Sequence, residues 1–240
     1  LEFYNGVDWR QFTVNGSSGR AFCIGGWTPA NDKLIQYVNI ASLGNAVDFG
    51  NITQNIEQGG ALASSVRGVA AGGGPGDNDH MDYITMASKG DGIDFGNLSQ
   101  ARRFPSGVSS STRGLFCGGR NPSSVNTIDY IEIATIGNAI DFGDLTGTWR
   151  APSTFGSPTR AVIAPQGGDK DLNSVQIASK GNAIDFGNDI YAGQYASGGA
   201  SSGVRGVWGG GTEAYSPIAF VRSKDISSGG NAVEFGQLLN

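Results

Sequence analysis

Apolar and polar positions alternate in short runs along the whole chain, and the runs recur in a fixed order about every 46 residues. The clearest copy opens with Arg113-Gly114-Leu115-Phe116-Cys117, closed by Gly118-Gly119. A second run covers 127–133, and a third, Ala139-Ile140-Asp141-Phe142-Gly143, is entered through Gly137-Asn138, a pair suited to the positive φ of a tight hairpin turn. A shorter strand over 102–108 precedes a Ser-rich turn at 109–112. The third run has period two. Val47 with Phe49, Ile93 with Phe95, Ile140 with Phe142, Ile184 with Phe186 and Val233 with Phe235 share one face, and small or acidic residues take the other. This pattern predicts strands half-buried against a neighbouring layer, with each phenylalanine packed between adjacent units. Helical periodicity is absent throughout.

Five copies are legible. The arginine that opens the first run recurs at Arg20, Arg67, Arg113, Arg160 and Arg205, and the closing Asp-Phe-Gly becomes Glu234-Phe235-Gly236 in the last copy. A unit of four short strands cannot bury both faces alone, so the copies predict an all-β propeller of five four-stranded blades closing into a ring. The blades are expected near 9–53, 54–100, 101–147, 148–190 and 191–239 of a single domain. Trp9-Arg10 precedes Arg20 as Trp149-Arg150 precedes Arg160, which places strand a of the first blade over 9–17. Residues 1–8 are left as a strand or hairpin that latches onto a blade edge, or as the tail of a sixth blade if the chain is a piece. A chain that begins at Leu1 reads as a fragment or a processed product.

Composition narrows the function classes. The 40 glycines fall at fixed repeat positions and read as turns. With 15% charged residues and a net charge of −5, the chain lacks the basic footprint of sequence-independent nucleic-acid binding. No run approaches the roughly 18 apolar residues of a membrane span, and no signal peptide is visible. Cys23 and Cys117 fall on opposite faces of equivalent strands in different blades, so no disulfide is expected. Each repeat arginine is expected to pair with a repeat aspartate, a ring of five guanidinium groups around an anion being the alternative.

The copies agree in their a–b and c–d turns and differ in their b–c loops and d–a segments, which lie at the opposite end of a propeller. Diversified loops on a repeated scaffold are where recognition usually sits. Trp27, Asp77, Asp79, His80, Arg120, Trp208, Glu213 and Tyr215 are the candidate ligand-binding residues. Neutral drift of exposed loops is the alternative. Trp27, Trp208 and Tyr215 would stack on sugar rings or fill the channel mouth. Asp77-Asn78-Asp79 and Asp169-Lys170-Asp171 have the oxygen-rich spacing of loop calcium sites, a spacing that solvated turns share. His80 is the only histidine and no nucleophile elbow accompanies it. Paired carboxylates for glycoside hydrolysis would have to come from Glu57, Asp77, Asp171 and Glu213, whose separation the sequence does not fix. The chain is therefore read as a binding protein without catalysis, metal or cofactor.

An arginine after a Ser-rich turn, an apolar strand ending in Gly-Gly (25–26, 72–73, 118–119, 210–211), a tyrosine at Tyr37, Tyr83 and Tyr130, and a final aromatic together resemble the kelch repeat. The usual kelch tryptophan is Phe here, Pro165-Gln166 replaces one Gly-Gly, and Ser174 stands in one tyrosine place. The wording of residues 128–145, and the opening Leu1-Glu2-Phe3-Tyr4-Asn5-Gly6-Val7-Asp8-Trp9-Arg10, look like kelch-like repeats and short hairpins of phage tail-fibre and virion proteins of the marine and cyanobacterial type. The resemblance covers residues 9–240. It implies an extracellular virion component, in a tail or on a capsid surface, that attaches to a host-surface glycan or receptor protein. The alternatives are a structural or decoration module contacting other virion proteins, and a cellular lectin or kelch-type interaction domain. Fibres are commonly homo-oligomers, but no heptad stalk is present in this chain.

Overall fold

Five antiparallel sheets stand in chain order as the blades of a five-bladed β-propeller. The computed structural model describes residues 2–4, 9–11, 19–26, 33–166, 168–191, 198–213 and 216–239, and no helix occurs among them. Blade 2 runs from strand a (Gly60–Ala63) through b (Arg67–Ala71) and c (His80–Thr85) to d (Ile93–Asn97). Blade 3 repeats this order as Ser106–Ser109, Arg113–Cys117, Thr127–Glu132 and Ile140–Asp144. Blade 4 has Ser153–Gly156, Arg160–Ala164, Asp171–Gln176 and Ile184–Asn188, and blade 5 has Gly198–Ser201, Arg205–Gly209, Phe220–Asp225 and Val233–Gln237. Blade 1 has b (Arg20–Ile24), c (Leu34–Asn39) and d (Val47–Asn51), and most of its expected strand a lies outside the described residues. Trp9–Gln11 pairs with Glu2–Tyr4 as a separate hairpin, so a blade edge is not the described partner of either strand. Among the described residues no helix is long and apolar enough to cross a membrane.

The strands a of blades 2 to 5 are innermost and stand side by side in chain order. In blade 3 this strand starts at Ser106, not at 102 as the apolar pattern suggests, because Pro105 and the buried Arg102 belong to the segment that leads into it. Each core cluster spans two blades. Phe49 packs with Ala70, Ile84 and Met86 of blade 2, Phe95 with Phe116, Ile131 and Ile133 of blade 3, Phe142 with Ile163 and Ile177 of blade 4, and Phe186 with Trp208 and Ile226 of blade 5. All four rings are buried, as the repeat predicts, whereas Phe235 is 59% exposed. The residues two positions earlier, Val47, Ile93, Ile140, Ile184 and Val233, are exposed as well. Shared alternation thus overstates the buried face: strand d is the outer strand, and only its phenylalanine reaches the next blade.

The repeat arginines are structural, but not through the repeat aspartates. Arg20, Arg67, Arg113 and Arg160 donate from Nη1 to the carbonyls of Met86, Ile133, Ile177 and Ile226 in the following blade, at 2.9–3.1 Å. The guanidinium groups of Arg20, Arg67 and Arg113 also cover the rings of Tyr37, Tyr83 and Tyr130 at 4.5–4.7 Å, and those rings meet Phe49, Phe95 and Phe142 edge-on. Carboxylate partners occur across the ladder instead, Glu132 for Arg113 at 2.7 Å and Asp225 for Arg205 at 3.6 Å. The repeat Asp94 and Asp185 accept from Gly96 and Gly187 N–H, bracing their own strand.

Cys23 and Cys117 are both free, the first exposed and the second buried. Burial pushes the Cys117 thiol up to about 12, with the Arg102 charge opposing the shift. The folded protein therefore holds this proton where an unfolded thiol near ~8.5 would release it, and its contribution to stability is lost as pH rises from there toward 12. At pH 8 a thiol reagent is expected to titrate one cysteine in the native protein and both in denaturant. Reaction of both in the native state would contradict the packing around Cys117.

Candidate functional site at the loop end

The b–c loops and d–a segments meet at one end of the propeller, and two regular backbone devices organise that end. The first is a β-bulge at the same place in every strand d, where the pairing with strand c skips Phe49, Phe95, Phe142, Phe186 and Phe235. The unpaired phenylalanine bends this outer strand and breaks its period two. The strand c residues opposite the bulge are Gln36, Asp82, Asp129, Asn173 and Arg222, and the last four are buried. Asp82, Asp129 and Asn173 accept the N–H of Thr53, Ser99 and Thr146 from the d–a segment before their blade, at 2.8–3.1 Å.

These buried polar places are filled differently in each blade. Asp82 also binds Thr53 Oγ1 and lies 3.1 Å from His80 Nε2. Asp129 takes Arg102 Nη1 at 2.9 Å, with both side chains fully buried, and Arg102 Nη2 donates to Phe116 O. Arg222 lies 3.6 Å from Asp189, and burial lowers its pKa while Asp189 opposes the shift. Asp189 also accepts from Trp208 Nε1 at 3.0 Å.

The second device is a collar. Gln58, Phe104 and Ala151, each nine residues before a repeat arginine, have φ of 58°, 58° and 55°. These are left-handed conformations that residues other than glycine seldom adopt. Phe104 N–H donates to Gln58 O at 2.6 Å and Ala151 N–H to Phe104 O at 3.0 Å, so successive d–a segments are tied blade to blade. Arg103 and Arg120 exchange backbone hydrogen bonds at 3.0 and 2.8 Å. Arg103 Nε reaches Asp77 Oδ1 at 3.0 Å, and the Arg150 guanidinium lies 4.2 Å from the centre of the Phe104 ring. Strain of this kind persists where surrounding structure over-determines it, often at binding sites.

The sequence-predicted residues divide accordingly. Asp77, Asp79 and Arg120 stand at this end. Asp77 holds Arg103, Asp79 O accepts from Leu98 N–H, and Arg120 Nε donates to Pro122 O. His80 and Trp208 are not loop residues. His80 opens strand c of blade 2 and is buried against Thr53 and Asp82. Trp208 lies in strand b of blade 5, 1% exposed and stacked on Phe155 at 4.9 Å, so it fills the blade 4–5 interface and is unavailable to a sugar. Glu213 lies in a short strand, Thr212–Glu213, that pairs with Ser216–Pro217, and Trp27 and Tyr215 fall outside the described residues. Asp169, half of one calcium-like pair, is occupied by Trp149 Nε1 and by the N–H groups of Lys170 and Asp171. Among the described residues no three His, Cys, Asp or Glu side chains are grouped as metal ligands.

The collar members Gln58, Phe104 and Ala151, with Arg103 and Arg150, escaped sequence reasoning. Their signal was the shared Arg-Xaa-Pro of residues 103–105 and 150–152. The fold and this end together define a β-propeller whose repeated backbone presents unlike side chains around one rim. No family model matches the chain, and no curated protein matches it.

Proposed function

We propose that the propeller is a recognition module of a phage virion, binding a host-surface glycan at the b–c/d–a end. The observation that carries this reading is the collar: one backbone conformation at Gln58, Phe104 and Ala151, fixed blade to blade by hydrogen bonds and bearing three unlike side chains. Rigid backbone with exchangeable side chains is the arrangement that gives precise sites without changing the scaffold. The Phe104 ring backed by Arg150 supplies an apolar plate, and the Arg103–Asp77 pair supplies donors and acceptors for hydroxyls beside it. The virion setting rests on the likeness of residues 128–145 to kelch-like phage repeats.

A glycan array spanning bacterial surface polysaccharides tests the reading. The wild-type chain is expected to bind a restricted set of sugars, and Phe104→Ala and Arg150→Ala each to weaken that binding at least ~10-fold, about 1.4 kcal/mol. Binding that survives both substitutions would place recognition elsewhere. Binding only to host surface proteins would assign the rim to a receptor protein.

A further inference from the structure

Charge is spread unevenly along the collar, and positive charge gathers between blades 3 and 4. Glu57, Arg103 and Arg150 hold one repeat position, each ten residues before a repeat arginine. In blade 2, Glu57 pairs across the ladder with Gly74, and the two exchange backbone hydrogen bonds at 3.1 and 2.7 Å. In blade 3 the same pairing joins Arg103 to Arg120, so both side chains leave one face of an antiparallel pair. Ser124 pairs with Arg120 from its other side and shares that face. Like charges directly opposite each other destabilise a sheet, so this pair calls for a counter-ion.

Blade 2 shows how one such arginine is neutralised. Arg103 reaches back over Gly74, where an added Cβ would lie 3.5 Å from Arg103 Cδ, and its Nε meets Asp77 Oδ1 at 3.0 Å. One blade on, the same three places are filled differently. Arg150 is the counterpart of Arg103 and also reaches back, its guanidinium lying over the Phe104 ring. Arg120 stands where Gly74 does, seven residues after the repeat arginine, and Ser124 where Asp77 does, three residues before strand c. A second cation thus replaces the glycine, and a hydroxyl replaces the carboxylate. Arg120 Nε donates to Pro122 O at 2.7 Å, but neither Arg120 nor Arg150 has a carboxylate partner among the described residues. Three half-buried guanidinium groups therefore share one carboxylate, in a chain whose net charge is −5.

Gln166 adds a neutral donor and acceptor to the same sector. It stands six residues after its repeat arginine, the place of Gly73 and Gly119. A Cβ on those glycines would clash with Glu57 O and Arg103 O, so by the same register Gln166 abuts the Arg150 segment. It is 5% exposed, and neither atom of its amide has a hydrogen-bond partner. A buried amide left unpaired costs free energy that a ligand hydroxyl would recover. We infer that, given recognition of a glycan at this end, the glycan is acidic. Arg120 and Arg150 take its carboxylate or phosphate group beside the Phe104 ring, and Gln166 bonds a neighbouring hydroxyl. Arginine suits either anion, because its planar donors match both in bidentate fashion.

Ser124→Asp tests this by supplying the counter-ion that Asp77 provides in blade 2. On an array of uronic-acid, phosphorylated and neutral sugars, the wild-type chain is expected to bind acidic sugars, with affinity falling as salt rises. Ser124→Asp and Arg120→Ala are each expected to weaken that binding at least ~10-fold, the Tm of Ser124→Asp being no lower than that of wild type. Carboxyl reduction of the bound sugars tells the two anions apart, since it is expected to remove binding of the uronic acids only. A bound set of neutral sugars, or acidic sugars held equally well by both variants, would overturn the inference, while rim recognition would stand if Phe104→Ala lost those sugars. Binding of no sugar at all would overturn rim recognition and the acidic ligand together.

Discussion

Arg102→Ala is expected to destabilise the protein by about 3–5 kcal/mol, roughly 6–20 °C in Tm for a domain of this size. Arg102 and Asp129 are both fully buried, 2.9 Å apart, in the interior between blades 2 and 3. Their attraction is partly offset by imperfect satisfaction, since Arg102 Nε and Asp129 Oδ1 lack partners. Removing one member leaves the other as an isolated charge away from water, and that penalty dominates the effect. The blade 4 counterpart shows how it is relieved: Trp149 stands where Arg102 does and Asn173 where Asp129 does, without any buried ion. Arg102→Met with Asp129→Asn is therefore expected to recover most of the loss. Arg205→Ala, at an ion pair more than half exposed and 3.6 Å long, should change stability by no more than ~1 kcal/mol. Chemical denaturation of the three variants checks the ordering, and equal losses for Arg102→Ala and Arg205→Ala would contradict it.

Phe95→Ala is expected to cost about 3–5 kcal/mol, against less than ~1 kcal/mol for Ile93→Ala two residues earlier in the same strand. By alternation alone the two positions are equivalent. Phe95 is completely buried, enclosed by Phe116, Ile131 and Ile133 of the next blade, and its deletion would leave a cavity in a rigid interface. Ile93 is 53% exposed and its truncation removes little packing. The difference separates interface burial from strand amphipathicity as the source of stability. Similar losses at both positions would mean that the outer strand is covered along its whole length.

The repeat was legible because it is written in residue types with one dominant role. Arginine at the head of strand b, phenylalanine in strand d and glycine in the c–d turn each meet the same neighbours four times over, so their spacing reported blades and interfaces directly. The loop end was harder to read for two physical reasons. Strand c is buried on both faces, so alternation says nothing of exposure there, and three of its charged residues, Asp82, Asp129 and Arg222, are buried. Sequence variation between copies also did not separate rim from interior. Ile56, Arg102 and Trp149 share one repeat position and are chemically unrelated, yet all three are buried. Two residues further on, Gln58, Phe104 and Ala151 vary as freely on the collar. Trp208 misled for the same reason: its partners, Phe155 and Asp189, come from other segments that no local pattern connects to it.

Recognition by the loop end can be decided by comparing rim and turn-end variants on one glycan array. Phe104→Ala and Arg150→Ala alter the rim, while Lys180→Ala alters the uniform c–d turn end. The wild-type chain is expected to bind a defined set of surface sugars, both rim variants to lose at least ~10-fold in affinity with Tm changed by less than ~4 °C, and Lys180→Ala to bind as wild type. Loss of binding in Lys180→Ala with both rim variants intact would contradict it and move recognition to the opposite end of the propeller.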